Sequence, residues 1–169
     1  ATSGSQVTRN ADTAEMTGDN FSSWYRQDEG GLYAEMSLLT SDVTNLDNRI
    51  VTIHKGDPNV DSIRPYINTG EAVVLFVERN NSTSSFASSN SLADPTVPFK
   101  TAMAFAYEDA AICLDGEDVA TNSSLYYPTE LNQMDIGRRI NDFVSGHFKK
   151  IAYYPARLTN EELQRLTED

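Results

Sequence analysis

The chain has 169 residues, 39% of them hydrophobic, with 13 Lys+Arg against 25 Asp+Glu and a formal net charge of −12. That length suits one domain, or one domain plus an arm, and is enough to bury a real core. The charge argues against a nucleic-acid backbone or an anionic membrane surface as partner, since both are held by Lys and Arg. No apolar run approaches the roughly 18–20 residues of a membrane-spanning helix. The single cysteine, Cys113, excludes an internal disulfide framework or a Cys-based zinc site; inside an apolar run it reads as a small buried hydrophobe.

Residues 1–20 are polar and rich in Thr, Ser and Asp. They read as an arm or linker continuing from an upstream region, with one short edge strand around Ala14-Glu15-Met16. The start, Ala1 to Ser5, lacks the basic and apolar regions of a signal peptide. The domain proper is expected over 21–169. Its first feature, Phe21-Ser22-Ser23-Trp24-Tyr25, crowds three aromatics into five positions. It reads as a turn-like anchor burying Phe21 and Trp24, or as a sugar-stacking platform of Trp24 and Tyr25.

Gly30-Gly31 opens a strand over Leu32–Leu38, and Thr40–Asn48 is a polar loop. Arg49–Lys55 and Val60–Ile67 are strands separated by the turn residues Gly56-Asp57-Pro58-Asn59. Ala72–Glu78 is a continuous apolar run, as in a central strand buried on both faces. The Ser/Asn/Thr-rich stretch around Phe86 is a surface strand flanked by loops, and Phe99–Tyr107 and Ala110–Leu114 are strands. Asp115-Gly116 is the favoured pair for a type I′ hairpin, because both central positions need φ > 0; a return strand starts at Val119. Leu131–Gly137 alternates, and Arg138–Asp142 is a polar hairpin.

The last strand, Phe148 to Tyr154, stops at Pro155, which cannot donate to a ladder. Thr159 lies three residues before Glu162, the capping-box spacing, with Leu158 and Leu163 placed as a hydrophobic staple. About ten to twelve short strands and one convincing helix, without strand–helix alternation, predict an all-β, antiparallel two-sheet β-sandwich (a jelly roll) with one short C-terminal α-helix.

Glycoside hydrolysis needs two facing carboxylates, roughly 5–9.5 Å apart; the acidic residues here sit on turns, and no same-strand pair is evident. His54 and His147 are the only histidines, and no Ser-His-Asp or Cys-His arrangement follows from their spacing. Calcium takes six to eight oxygens, for which Asp57-Pro58-Asn59-Val60-Asp61 and the trio Asp115, Glu117 and Asp118 are the candidate loops; neither has the form of an EF-hand. Sugar binding pairs aromatic faces with polar forks, which singles out Trp24 and Tyr25, Tyr107 with Asp109, and Tyr126 with Tyr127. The alternative for each is core or a subunit interface, where Tyr is also enriched.

Three pieces carry a family likeness: Val7-Thr8-Arg9-Asn10-Ala11-Asp12, then Phe21-Ser22-Ser23-Trp24-Tyr25 with Glu29-Gly30-Gly31-Leu32-Tyr33-Ala34-Glu35, then Lys149 through Leu163. In this order and spacing they resemble the concanavalin A-like (laminin G/pentraxin-like) lectin-type domain of bacteriophage tail, tail-fibre and virion-appendage proteins. The resemblance implies a jelly roll at the surface of a virion. It implies a homo-oligomer, with a trimer favoured, contacting a host surface glycan or receptor during adsorption without catalysis. It leaves two alternatives open, a structural tip or oligomerisation module without ligand, and a polysaccharide depolymerase.

Overall fold

The computed structural model describes residues 13–41, 43 and 48–168. The entry segment Val7–Asp12 and most of the loop expected before Asn48 lie outside the described residues. In chain order the elements are β1 (Ala14–Thr17), α1 (Asp19–Ser22), β2 (Glu29–Leu38), β3 (Val51–Lys55), β4 (Asp57–Ile67), β5 (Val73–Arg79), β6 (Ser82–Ala87), β7 (Phe99–Ala106), β8 (Asp109–Leu114), β9 (Ala120–Asn122), β10 (Gln133–Ile136), β11 (Arg138–Arg139), β12 (Asp142–Phe143), β13 (Gly146–Tyr154) and α2 (Asn160–Thr167).

The strands form a six-stranded sheet ordered β1-β10-β3-β4-β5-β6 and a five-stranded sheet ordered β13-β2-β7-β8-β9, with β11-β12 as a separate hairpin. Every pairing is antiparallel. This is the predicted all-β jelly-roll sandwich. Its core follows from period-two alternation. Ile53, Ile63, Ile67, Val73, Leu75 and Val77 of the larger sheet meet Leu32, Met36, Met103, Phe105, Ile112 and Leu114 of the smaller one, all buried.

The outer face of the smaller sheet is floored by Ala102, Ala104 and Ala111 with Cys113, and α2 lies on it through Leu163. Small side chains let a helix approach closely. The capping box is complete: the Thr159 amide donates to Glu162 Oε2 at 2.8 Å, and the Glu162 amide donates to Thr159 Oγ1 at 3.2 Å. The Cys113 thiol is fully buried, with Thr167 Oγ1 and the Glu117 carbonyl each at 3.2 Å from Sγ, and burial pushes its pKa up.

The details differ from expectation in four places. Arg49 lies outside the strand, joined to Tyr66 by an isolated bridge, and β3 begins at Val51. The turn before β4 is tighter than the Gly-Asp-Pro-Asn signal suggests: Asp57 already pairs with Lys55 beside a register shift, so Pro58 lies in the strand. Val119 precedes the return strand, which starts at Ala120, although Asp115 and Gly116 do take the positive φ of 49° and 72° that a type I′ turn needs. Residues 14–17 are a full edge strand of the larger sheet, in register with β10, and α1 seats Phe21 in the core.

Candidate functional site

The outer face of the six-stranded sheet has no helix on it among the described residues, yet much of it is buried. In β4 the inward Ile63 and Ile67 alternate with outward Ser62, Arg64 and Tyr66. In β5 the inward Val73, Leu75 and Val77 alternate with outward Val74, Phe76 and Glu78. The register sets Arg64 opposite Phe76 and Ser62 opposite Glu78. The Arg64 guanidinium stacks 4.4 Å over the Phe76 ring, and Arg49 stacks 4.4 Å over the Tyr66 ring. Arg139 enters from the β11–β12 hairpin. These five residues line a pocket of about 230 Å³. That is below the roughly 300–1,000 Å³ of drug-sized sites, a size for one ring or one charged group.

The pocket's electrostatics run against those of the chain. Arg64 is only 3% exposed. Burial, then repulsion from Arg139 and Arg49, push its pKa down to about 10, with Glu78 opposing. It therefore remains a cation at neutral pH. Glu78 holds one Arg64 terminal nitrogen, and Asn59 accepts from an Arg139 terminal nitrogen. The Nε of Arg64 and the Nε of Arg139 are buried without a hydrogen-bond partner. A guanidinium edge with a free Nε–H is the half of the fork that binds a carboxylate through two parallel bonds. Burying like charges costs free energy unless an anion joins them. The arrangement thus fits a planar or tetrahedral anion beside an aromatic wall.

The same face continues into a buried polar chain. His54 Nε2 lies 3.3 Å from Asp135 Oδ2 and 3.0 Å from the Gln133 amide. Arg138 donates to Asp135 Oδ1 at 2.8 Å and to Glu15 Oε2 at 2.9 Å. Burial pulls the His54 pKa down, against the opposing pull of Asp135. Ser62 is the cross-strand neighbour of His54, so Ser, His and Asp stand side by side. They do not form a catalytic triad: the Ser62 hydroxyl donates to the Pro58 carbonyl at 2.9 Å. His54 Nε2 is engaged by Asp135 and Gln133 instead of by Ser62.

The residues singled out from sequence lie elsewhere. Tyr25 and Tyr127 are corrected from sugar platforms to core. Both rings are buried, their hydroxyls meet at 3.1 Å, and burial raises both pKa values, Tyr127 beyond the ordinary phenol range and Tyr25 further still. Tyr25 stacks on Phe21, and Tyr127 stacks on Phe105. Trp24 is half-buried, packed edgewise against Phe21 and Tyr153, and lines an apolar crevice with Met16, Met134 and Ile151. Asp109 is engaged by Arg157 at 2.8 Å. Tyr107 and Tyr126 are open to solvent, at 58% and 49%, on loops tied together by the Glu108 amide and the Leu125 carbonyl.

The residues of the two candidate calcium loops serve the fold in part. Among the described residues no three acidic, His or Cys side chains converge as a metal site needs. In the Asp115, Glu117, Asp118 turn, Asp115 Oδ1 accepts the Lys100 amide, and Gly116 is packed onto α2 through Thr167 and Gln164. In the other loop, Asp57 caps the Asn59 amide and Asp61 the Asn80 amide.

Arg49, Arg64 and Arg139 were not found by sequence reasoning, because they stand far apart in the chain. One usable signal existed: the strand alternation and the Asn68–Gly70 turn together set Arg64 opposite Phe76.

No protein-family model matches the chain, and no curated protein sequence does. Solved structures do. The chain superposes on the Ruminococcus gnavus IT-sialidase CBM40 bound to alpha2,3 sialyllactose with a TM-score of 0.75 at 11% identity, covering 95% of both chains. It also matches the native heptameric SAP-like pentraxin from Limulus polyphemus, with a TM-score of 0.60 at 10% identity over 82% of this chain and 69% of that one. A structure of botulinum neurotoxin type C, whose cell entry is dependent upon interaction with two ganglioside molecules, matches with a TM-score of 0.70 at 11% identity over 91% of this chain and 39% of that one. At these identities the likeness is one of fold: the chain has the lectin-like jelly roll that these proteins share.

Proposed function

We propose that this chain is a non-catalytic carbohydrate-binding domain whose ligand is an acidic glycan, held at the arginine pocket of the six-stranded sheet. One observation carries the reading. Arg64 and Arg139 converge with Arg49 beside two aromatic rings, with buried Nε donors, in a chain of net charge −12. Arg64 is balanced by Glu78, whereas Arg139 hydrogen-bonds the neutral Asn59 side chain, and an anionic sugar supplies the charge that would balance it. Tyr66 and Phe76, each stacked under an arginine, hold the guanidiniums in place and give the pocket its apolar wall. What supports the class of ligand is the company the fold keeps, a sialidase's carbohydrate-binding module and a ganglioside-dependent toxin. The Ser62 hydroxyl, bonded to the Pro58 carbonyl and not to His54, supports binding without hydrolysis.

The place of the domain on a virion appendage, in a homo-oligomer that touches a host surface glycan, is part of the same proposal. It rests on the resemblance of the terminal segments to phage tail domains. The test is a glycan array of acidic and neutral oligosaccharides, run beside a reducing-end release assay. Acidic glycans retained by the wild type, lost by Arg64→Ala and Arg139→Ala, and released intact fit the proposal. New reducing ends would make the chain a depolymerase. Silence in both assays would leave a structural tip module.

A further inference from the structure

The β11–β12 hairpin that delivers Arg139 to the pocket has an unusual tip. Arg139 pairs with Asp142, so Ile140-Asn141 is a two-residue turn. Ile140 has φ of 56°, while Asn141 is not in the positive-φ region. Positive φ at the first turn position alone is the type II′ pattern, in which Gly is the ordinary occupant. The other non-glycine residues with positive φ among the described ones are Asn, Asp and Glu, which have no branch at Cβ. A β-branched side chain in this region is strained.

Packing does not explain the strain, since Ile140 is 46% exposed. The turn is held from below. The Thr52 hydroxyl donates to the Arg138 carbonyl at 2.7 Å, and the Gly137 and Val144 amides tie the hairpin's base to Ile50 and to itself. Its tip is thus presented on a fixed base, one residue on from the pocket wall. Phe143 pairs with Arg138 and lies on the opposite face of the hairpin from Arg139.

We infer that Ile140 is a specificity-determining contact, which covers an apolar patch, a ring C–H face or an acyl methyl, of the acidic sugar whose anionic group sits on Arg64 and Arg139. This rests on the acidic-glycan reading of the pocket. Strain kept at an exposed apolar residue that follows the pocket-lining Arg139 in sequence is of the kind that collects at ligand-binding sites, and packing does not account for it here.

The test compares wild type, Ile140→Gly, Ile140→Asn and Arg139→Ala for melting temperature and for affinity toward alpha2,3 sialyllactose and an oligogalacturonate, by calorimetry. Both Ile140 variants accept positive φ, so each is expected to melt about 2–6 °C higher. Each is expected to bind the probe about five- to tenfold more weakly, the loss when roughly 50 Å² of apolar surface no longer leaves water. Affinity within twofold of wild type in both variants, while Arg139→Ala loses binding, overturns the Ile140 contact and leaves the pocket reading standing. A wild type that binds neither probe overturns both. Variants that melt lower than wild type overturn the strain on which the inference depends.

Discussion

The two outer faces of the sandwich solve the problem of coverage in opposite ways. On the five-stranded sheet, alanines make a flat floor and α2 closes it with Leu163. That seat is mostly apolar, with Tyr33 beside the alanines, and its buried Thr101 and Thr167 hydroxyls find partners within the fold. On the six-stranded sheet the buried outward residues include Arg49, Thr52, His54, Ser62, Arg64 and Asp135, each needing a polar partner to be tolerated. The contrast teaches where to look for function: a face that buries charge at a cost to folding has a use for it, and a face that could not be covered more cheaply has none.

Breaking the contrast begins with its most expensive residue. Arg64→Ala leaves Glu78, whose side chain is only 14% exposed, without its cation. We expect a loss of about 3 kcal/mol in stability, read from denaturant midpoints, together with loss of acidic-glycan binding. On the other face, Ala104→Leu overfills the helix seat. It should cost about 2 kcal/mol and leave glycan affinity unchanged, and a change in affinity would mean that the two faces are coupled. Thr159→Ala removes the cap oxygen of α2 and should cost about 1 kcal/mol, again with binding intact.

A pH series sharpens the same contrast. His54 faces Asp135, Gln133 and Arg138, and burial pulls it below its ordinary value of 6.5. The unfolded chain therefore binds this proton more readily than the folded one. The His54 contribution is full above about pH 6.5 and is lost as pH falls through that value toward the folded pKa. A His54→Gln variant should show a shallower acid loss than the wild type over this window in pH-dependent melting, while wild type and Ala104→Leu run parallel.

Local chemistry made one face readable from sequence and left the other hidden. The capping box, the Pro155 stop and the Asp115-Gly116 turn are contiguous signals, each decided within a few residues, and the structure contains all three. The sandwich itself followed from strand alternation. The arginine pocket is assembled from residues 49, 64 and 139. Arg139 arrives only because β10 is inserted between β1 and β3, a crossing that no local pattern encodes. Arginine in a strand reads as solvent-facing, and its burial here is a tertiary outcome. The aromatic loops misled for the converse reason. Tyr25 and Tyr127 lie about a hundred residues apart in sequence; each stands beside another aromatic, Trp24 or Tyr126, as a sugar platform would, whereas the fold closes the two on each other.

The lone thiol has a consequence of its own. Cys113 is sealed beneath α2, its sulfur within reach of Thr167, so a maleimide or disulfide reagent can meet it only when the helix lifts away. Its labelling rate is a stopwatch on that opening, reporting the free energy of undocking one segment while the rest of the molecule stays folded. Thr159→Ala should make the stopwatch run faster by the same factor by which it loosens the helix. A ligand in the arginine pocket, on the far side of the sandwich, should slow the clock only if the two sheets open together.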